Sequence, residues 1–350
     1  MAYSVIKREF NNSKWIFAPD EFLKNAEKIE NIEGAKWIWP TIYSRAYIRK
    51  TFILDKVVPF KAKFICDNVF DFFINGKPVS LNKTSFSKDV TSFLREGENR
   101  INIRAYQTND DRFFTSAITG VLESEDVRIY TDESWQAYFP VGIWVNEEPD
   151  DWQTVEKSCN RILTCPIHPR LYKRSLYLRK SFTIDKPVEK ATLYVSSRGE
   201  AEMYINSVRT DDEILSQGVI KDFKEYHVLN VTPLIKQGKN VIGAITANGW
   251  LNSESHSNVY MHKNMLLAEI ELTYTDGTKE FLGTDNSWKC YFSPMTDNDL
   301  QFGIRYDARL EIPSWNRVDF DDSLWQQVED AASSIEINQF VQRSYPPVYI

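Results

Sequence analysis

Tyr47-Ile48-Arg49-Lys50-Thr51-Phe52-Ile53-Leu54-Asp55-Lys56 returns later in the chain as Tyr177-Leu178-Arg179-Lys180-Ser181-Phe182-Thr183-Ile184-Asp185-Lys186. Self-similarity of this kind decides the architecture before any single residue is read. Further matches follow in the same order. Ile74-Asn75-Gly76 pairs with Ile205-Asn206-Ser207, and Asp89-Val90-Thr91 with Gly97-Glu98-Asn99 pairs with Asn230-Val231-Thr232 and Gly238-Lys239-Asn240. Thr131-Asp132-Glu133-Ser134-Trp135 matches Thr284-Asp285-Asn286-Ser287-Trp288, and Asp150-Asp151-Trp152-Gln153 echoes Asp321-Asp322-Ser323-Leu324-Trp325-Gln326. The offset between partners widens along the chain, so the second copy carries loop insertions between shared segments.

The segments inside each copy read as strands. Ala62 to Asn75 and Ala191 to Asn206 are rich in β-branched and aromatic residues, with short alternating stretches such as Leu193 and Val195. Leu266 to Tyr274, Asp276-Gly277 and Thr278 to Phe281 read as a hairpin on a type I′ turn. One helix is expected, over Asp20 to Glu30, with Phe22, Leu23, Ala26 and Ile29 roughly on one face. The expected fold is therefore all-β: two tandem jelly-roll-like antiparallel β-sandwiches with a short N-terminal helix. The expected boundaries are an extension over 1–34, a first sandwich over 35–160 and a second over 161–350.

Composition narrows the function classes. The chain has 350 residues, 42% hydrophobic and 14% aromatic, which suits packed cores rather than disorder. A net charge of −7 and a pI near 5.4 offer no basic field for nucleic acid or an anionic membrane surface, so neither is an expected partner. Met1 to Asn11 lack the apolar core of a secretory signal, from which a cytoplasmic location is expected. Cys66, Cys159, Cys165 and Cys290 show no zinc or disulfide spacing and read as small buried hydrophobes.

The second copy resembles the N-terminal β-sandwich domain of bacterial α-L-rhamnosidases. The resemblance is carried by Tyr177 to Phe182, by Gly199-Glu200-Ala201-Glu202-Met203-Tyr204-Ile205-Asn206, and by Asn230-Val231-Thr232 with Gly238-Lys239-Asn240. It continues through Asn248-Gly249-Trp250 and Gly303-Ile304-Arg305-Tyr306-Asp307-Ala308-Arg309, then Trp315 and Asp319-Phe320-Asp321-Asp322. Ser207, Asn230, Ala247, Leu251 and Ile304 depart from the family's pattern, and Ile304 cannot act where a carboxylate is usual. The resemblance implies galactose-binding-like sandwiches in the non-catalytic front part of a glycoside hydrolase. The catalytic acids would then lie in a C-terminal catalytic domain beyond Ser344 to Ile350, so the chain is expected to be a fragment or a truncated product.

Glycoside hydrolysis needs two carboxyl groups facing each other across the scissile bond. The adjacent acids Asp110-Asp111, Asp150-Asp151, Asp211-Asp212 and Asp321-Asp322 read instead as loop and turn residues. His168, His227, His256 and His262 are scattered, and no catalytic centre is expected. Sugar binding suits such a scaffold better, with an aromatic face for the ring and Asp, Asn or Arg for its hydroxyls. Asp67-Asn68 is the first candidate, because some rhamnose-binding sandwiches carry such a pair that holds calcium and sugar. Asp67 and Asn68 are accordingly candidate calcium ligands, joined by Asn109 and Asp110 if their loops converge, and Asn109 is with them a candidate sugar-binding residue. The plainer reading is a strand-end turn with a surface carboxylate. Asn248, Trp250, Arg305 and Asp307 are the candidates in the second copy. Trp250 could stack on a sugar or pack against the catalytic domain, and Arg305 with Asp307 could equally be a salt-linked sheet face. A rhamnose-containing glycoside is the expected ligand, with a free-standing carbohydrate-binding protein as the alternative.

Overall fold

The computed structural model describes residues 7–40, 45–106, 117–138, 162–212, 215–217, 225–249, 263–299, 303–331 and 340–342. Its chain divides into two compact units, one of Met1–Ala26 with Tyr172–Ser253 and Met261–Ile350, the other of Glu27–Leu171 with Glu254–Tyr260. Both are β-sandwiches, as expected. They are nested rather than laid end to end, since the first sandwich interrupts the sequence of the second. Residues 1–26, expected within a separate extension, belong to the second unit, and residues 162–171 belong to the first.

In the first sandwich the strand order is Gln136–Tyr138, Arg45–Leu54, Gly97–Tyr106, Lys61–Ile74, Ile118–Glu123, Trp37–Pro40, Ile162–Cys165. Lys61–Ile74 holds both layers together. Its first half pairs with Ile118–Glu123, from Lys61↔Glu123 to Cys66↔Ile118. Its second half pairs with Gly97–Tyr106, from Val69↔Tyr106 to Ile74↔Ile101. Strict alternation lets Phe64, Phe70, Phe72 and Ile74 fill the core, where they meet Ile101, Ile103 and Trp135. The hairpin to Lys77–Asp89 turns on Asn75 (φ 50°) and Gly76 (φ 75°), the two positive angles a type I′ turn demands.

The second sandwich repeats these devices. One sheet runs Lys7–Arg8, Phe340–Gln342, Glu225–Asn230, Val188–Arg198, Met265–Tyr274, Ile16–Phe17, Glu329–Asp330. The other runs Val208–Arg209, Glu200–Ile205, Gly238–Ala247, Leu176–Ile184, Lys289–Phe292, Gln326–Gln327. Pairing is antiparallel apart from the short parallel contact of Glu225–Asn230 with Phe340–Gln342. The counterpart of the long first-sandwich strand is here broken at Gly199, whose φ of +99° ends Val188–Arg198 before Glu200–Ile205 begins. Gly199 also lies so close to the Ala247 carbonyl that a Cβ would sit 2.2 Å from it.

Buried asparagines lock both sandwiches in the same way. Asn99 Nδ2 donates to the carbonyls of Arg95 (2.6 Å) and Gly97 (3.0 Å), while its Oδ1 accepts from Arg95 N and Asn75 Nδ2. Asn240 makes the corresponding bonds to Lys236, Gly238 and Asn206. Each side chain thereby reaches its full hydrogen-bonding capacity. Thr131 Oγ1 donates to Lys36 O and Thr284 Oγ1 to Lys14 O, each at 2.6 Å. Lys14-Trp15-Ile16 therefore stands in the second sandwich where Lys36-Trp37-Ile38 stands in the first.

Two expectations need correction. The helix spans only Asp20–Leu23. Pro19 gives it no side-chain cap, and Asn25 turns its amide onto the Glu21 carbonyl (3.1 Å) while its N–H bonds Phe22 O, tightening and ending the last turn. At Asp276-Gly277 only the glycine has positive φ (+80°), so the turn is not type I′. The Asp276 carboxylate instead accepts the Thr278 N–H at 2.9 Å, an Asx arrangement that needs no left-handed aspartate.

The N-terminal segment buries Phe10, Trp15, Ile16, Ala18 and Leu23 in the second sandwich. At ~1.5–3 kcal/mol per large apolar side chain, this rivals the ~5–15 kcal/mol net stability of a domain. Deleting residues 1–26 is expected to abolish the second sandwich's calorimetric unfolding transition and leave the first intact. Two unchanged transitions would contradict this placement.

Candidate functional site

Asp67 and Asn68 lie in mid-strand rather than at a strand end, at the point where Lys61–Ile74 leaves one partner strand for the other. Ladder pairing lapses there, and the Asp67 N–H donates instead to Ala117 O at 3.0 Å. The Asp67 carboxylate faces His168, with Oδ2 3.5 Å from Nε2 and both side chains 3% exposed. His168 Nδ1 accepts the Arg170 N–H at 3.1 Å, so in the neutral ring the proton sits on Nε2, the nitrogen nearest Asp67. The ring also meets the edge of Trp37 at 4.3 Å, and Trp37 Nε1 donates to Asn31 Oδ1 at 2.6 Å. Burial, then the Asp67 charge, pushes the Cys66 thiol well above its usual range.

Calcium takes six to eight oxygen ligands. Among the described residues no three His, Cys, Asp or Glu side chains come together to hold a metal ion, and the group facing Asp67 is an imidazole N–H donor. Asn109 and Asp110 lie outside the described residues, as does Trp250.

In the second sandwich Asn248 is fully buried. Its N–H donates to Asn298 Oδ1 (2.5 Å) and its Nδ2 to the carbonyls of Lys173 (3.1 Å) and Asn298 (2.9 Å), so its amide is turned into the protein. Arg305 is exposed in the hairpin Met295–Asp299/Gly303–Tyr306, and Asp307 lies just past its end, capping the turn that follows. Asp307 is engaged by Arg309, whose Nε and Nη2 bind its two oxygens at 2.8 and 2.6 Å and whose N–H bonds Oδ1 at 3.1 Å. Those bonds hold the Asp307 carboxyl down at about 2. Ile304 points a 56% exposed side chain outward from the same strand.

The segment that follows, through Trp325, is a strap across the outer face of a sheet. Trp315 stacks on Tyr177 (4.5 Å, 29°) and meets Tyr204 edge-on, and it fits because Gly243 has no Cβ to obstruct it. Trp325 lies over the same tyrosine at 6.2 Å. Arg179, 1% exposed, ties the strap down by pairing with Asp322, donating to Arg317 O at 3.0 Å and lying 5.2 Å from the Phe320 ring. Lys289 Nζ adds a 2.8 Å contact to Asp322. Removing one member of a buried ion pair costs about 3–5 kcal/mol, because the remaining charge is left in the interior. Since Asp322 is 23% exposed, Asp322→Ala is expected at the low end, about 3 kcal/mol by urea denaturation. The double variant Arg179→Met/Asp322→Leu should recover most of that loss, and equal losses for both would refute this role of the pair.

Glu200 enters the sequence reading only within a strand and the motif Gly199 to Asn206, not as a site residue. It begins Glu200–Ile205, is 7% exposed, and is covered by Gly249, whose absent Cβ would sit 2.7 Å from Glu200 Cγ. Burial alone pushes its carboxyl up to about 7. Nearby, Asn264 Oδ1 is buried without a hydrogen-bond partner among the described residues. The folded state thus holds the Glu200 proton more tightly than the unfolded chain, whose glutamates titrate near ~4.3. Stability should fall by a few kcal/mol as pH rises from ~4.3 to about 7 and stay reduced above it. Glu200→Gln is expected to flatten that slope in denaturation curves at pH 5 and pH 8, and an unaltered slope would exclude Glu200 as its source.

Residues 186–350 match the family model described as the α-L-rhamnosidase N-terminal domain. An α-L-rhamnosidase of Streptomyces avermitilis is 24% identical over 375 aligned positions, covering 97% of this chain and 35% of its own length. One from an Alteromonas species is 34% identical over 165 positions, 45% of this chain and 18% of its own. The crystal structure of a Streptomyces avermitilis α-L-rhamnosidase complexed with L-rhamnose superposes with a TM-score of 0.51 and 22% identity, over 94% of this chain and 34% of that one. The chain thus spans about a third of the length of the first of these relatives and less of the other.

Proposed function

We propose that this chain, which carries an α-L-rhamnosidase N-terminal domain over residues 186–350, is the non-catalytic scaffold of a rhamnoside-cleaving glycosidase and helps orient its substrate. The observation that carries the reading is the alignment of 97% of the chain with one third of a full-length α-L-rhamnosidase. The strap supports it. The motif residues Tyr306-Asp307-Ala308-Arg309, Trp315 and Asp319 to Asp322 cap a turn and roof a sheet, so their chemistry in this sandwich is architectural. The matching asparagine and threonine clamps support a further proposal, that the two sandwiches are copies of one ancestral module.

On this reading the 350-residue chain leaves p-nitrophenyl α-L-rhamnopyranoside intact, while a polypeptide of the relatives' length cleaves it. Robust turnover by the purified 350-residue chain would sink the proposal. A second arm addresses Asp67. Calorimetry with L-rhamnose, with and without calcium, compares wild type with Asp67→Ala. Heat of binding that depends on Asp67 favours sugar capture by the first sandwich, and its absence leaves the scaffold role alone.

A further inference from the structure

The first sandwich carries a second group of polar side chains, on the outward face of Gly97–Tyr106 and Lys61–Ile74. Ile103, Ala105, Phe70 and Phe72 point into the core, so Arg104, Tyr106 and Asp71 point away from it. Asp71 and Arg104 are directly opposite in the ladder. Arg104 donates from both Nε (2.8 Å) and Nη2 to Asp71 Oδ2, while Asp71 Oδ1 accepts the Asn82 N–H at 2.7 Å, where the neighbouring strand kinks through φ 53°. Asp71 is 2% exposed and held from two sides, but the Arg104 side chain is 37% exposed. Its guanidinium lies 5.8 Å from the ring centroid of Tyr106, a cation–π distance. Burial, and then the Asp71 charge, raises the Tyr106 phenol, which keeps it a neutral O–H donor.

The second sandwich shows what this kind of face accommodates. There the ladder position opposite Tyr177 is Ile245, whereas opposite Tyr47 it is Arg104. Over Tyr177 the chain lays its own flat ring, Trp315, packed with Tyr204 and Ile245. The first sandwich has a fixed guanidinium, a buried carboxylate and a phenol in that neighbourhood. Because Asp71 cancels the Arg104 charge, the pair gains little from an anion, while its remaining N–H donors and the Tyr106 ring suit a neutral polyol.

We propose that Asp71, Arg104 and Tyr106 form a sugar subsite on the first sandwich, which takes a neutral pyranose with its apolar face on Tyr106 and its hydroxyls on the Arg104 guanidinium. The subsite rests on the carbohydrate-handling role proposed above and uses residues other than Asp67 and Asn68. Tyr106 supplies contact and Arg104 supplies direction; Asp71 positions Arg104.

Isothermal calorimetry and saturation-transfer NMR on the full chain, with methyl α-L-rhamnopyranoside, methyl β-D-galactopyranoside and methyl α-D-glucopyranoside, test it. Tyr106→Ala leaves the Asp71–Arg104 pair in place and Arg104→Lys keeps the charge beside buried Asp71, so both variants should still unfold cooperatively, Arg104→Lys at a lower midpoint because one ammonium replaces a two-point contact. Each is expected to weaken binding of the preferred glycoside by about tenfold or more. Binding by wild type that both folded variants retain in full overturns the subsite and leaves the carbohydrate reading standing. No binding of any of the three glycosides by wild type at millimolar concentration overturns the subsite together with sugar capture by the first sandwich.

Discussion

Each sandwich depends on one stretch of chain that must leave one layer and join the other, and at that crossing the backbone loses its ladder partners. Buried N–H and C=O groups cannot be left unpaired without a cost of about 1–3 kcal/mol each, so the crossing has to be built from special residues. The first sandwich keeps the strand continuous and sends the Asp67 N–H to Ala117. The second breaks the strand at Gly199, where positive φ and a carbonyl at the Cβ position exclude any side chain. Both crossings collect buried acids, Asp67 against His168 in one and Glu200 beneath Gly249 in the other. The candidate chemistry of the chain gathers where its regular hydrogen bonding gives way.

What could be read from sequence follows from range. Strand periodicity and the Asn75-Gly76 turn are local properties, and the structure has both. The Asp276-Gly277 turn was misread because Asp can reach the same end through its side chain without leaving the ordinary φ region. The pairing of Asp67 with His168 was not legible, since nothing near either residue encodes a partner about a hundred positions away. Asp71 and Arg104 stayed hidden for the opposite reason: polar residues alternating with apolar ones, as in Asn102-Ile103-Arg104-Ala105, read as an ordinary solvated strand face. Glu200 was visible as a motif and strand residue but not as a buried acid, because burial is a tertiary property.

The nested arrangement has a short signal in the sequence. Lys14-Trp15-Ile16-Phe17 and Lys36-Trp37-Ile38-Trp39 match, but four residues are too short a repeat to stand out beside the longer matching segments downstream. Both motifs make the same contacts. The N–H groups of Lys14 and Lys36 donate to Thr284 O and Thr131 O, each at 2.8 Å. Two residues with the same bonds in two different sheets are a firmer guide to boundaries than hydropathy.

Nesting also fixes an order of events during synthesis. All the described strands of the first sandwich lie within residues 27–171, although its unit also takes in Glu254–Tyr260, so those strands are synthesised before the later strands of the second sandwich. The opening strand Ile16–Phe17 has no such partner at hand, for it lies between Met265–Tyr274 and Glu329–Asp330, and Lys14 finds Asp330 at 2.8 Å. At ~5–20 residues per second, that strand waits on the order of fifteen seconds to a minute with Trp15 exposed while an entire domain folds behind it. The part of the chain made first is thus among the last to be secured.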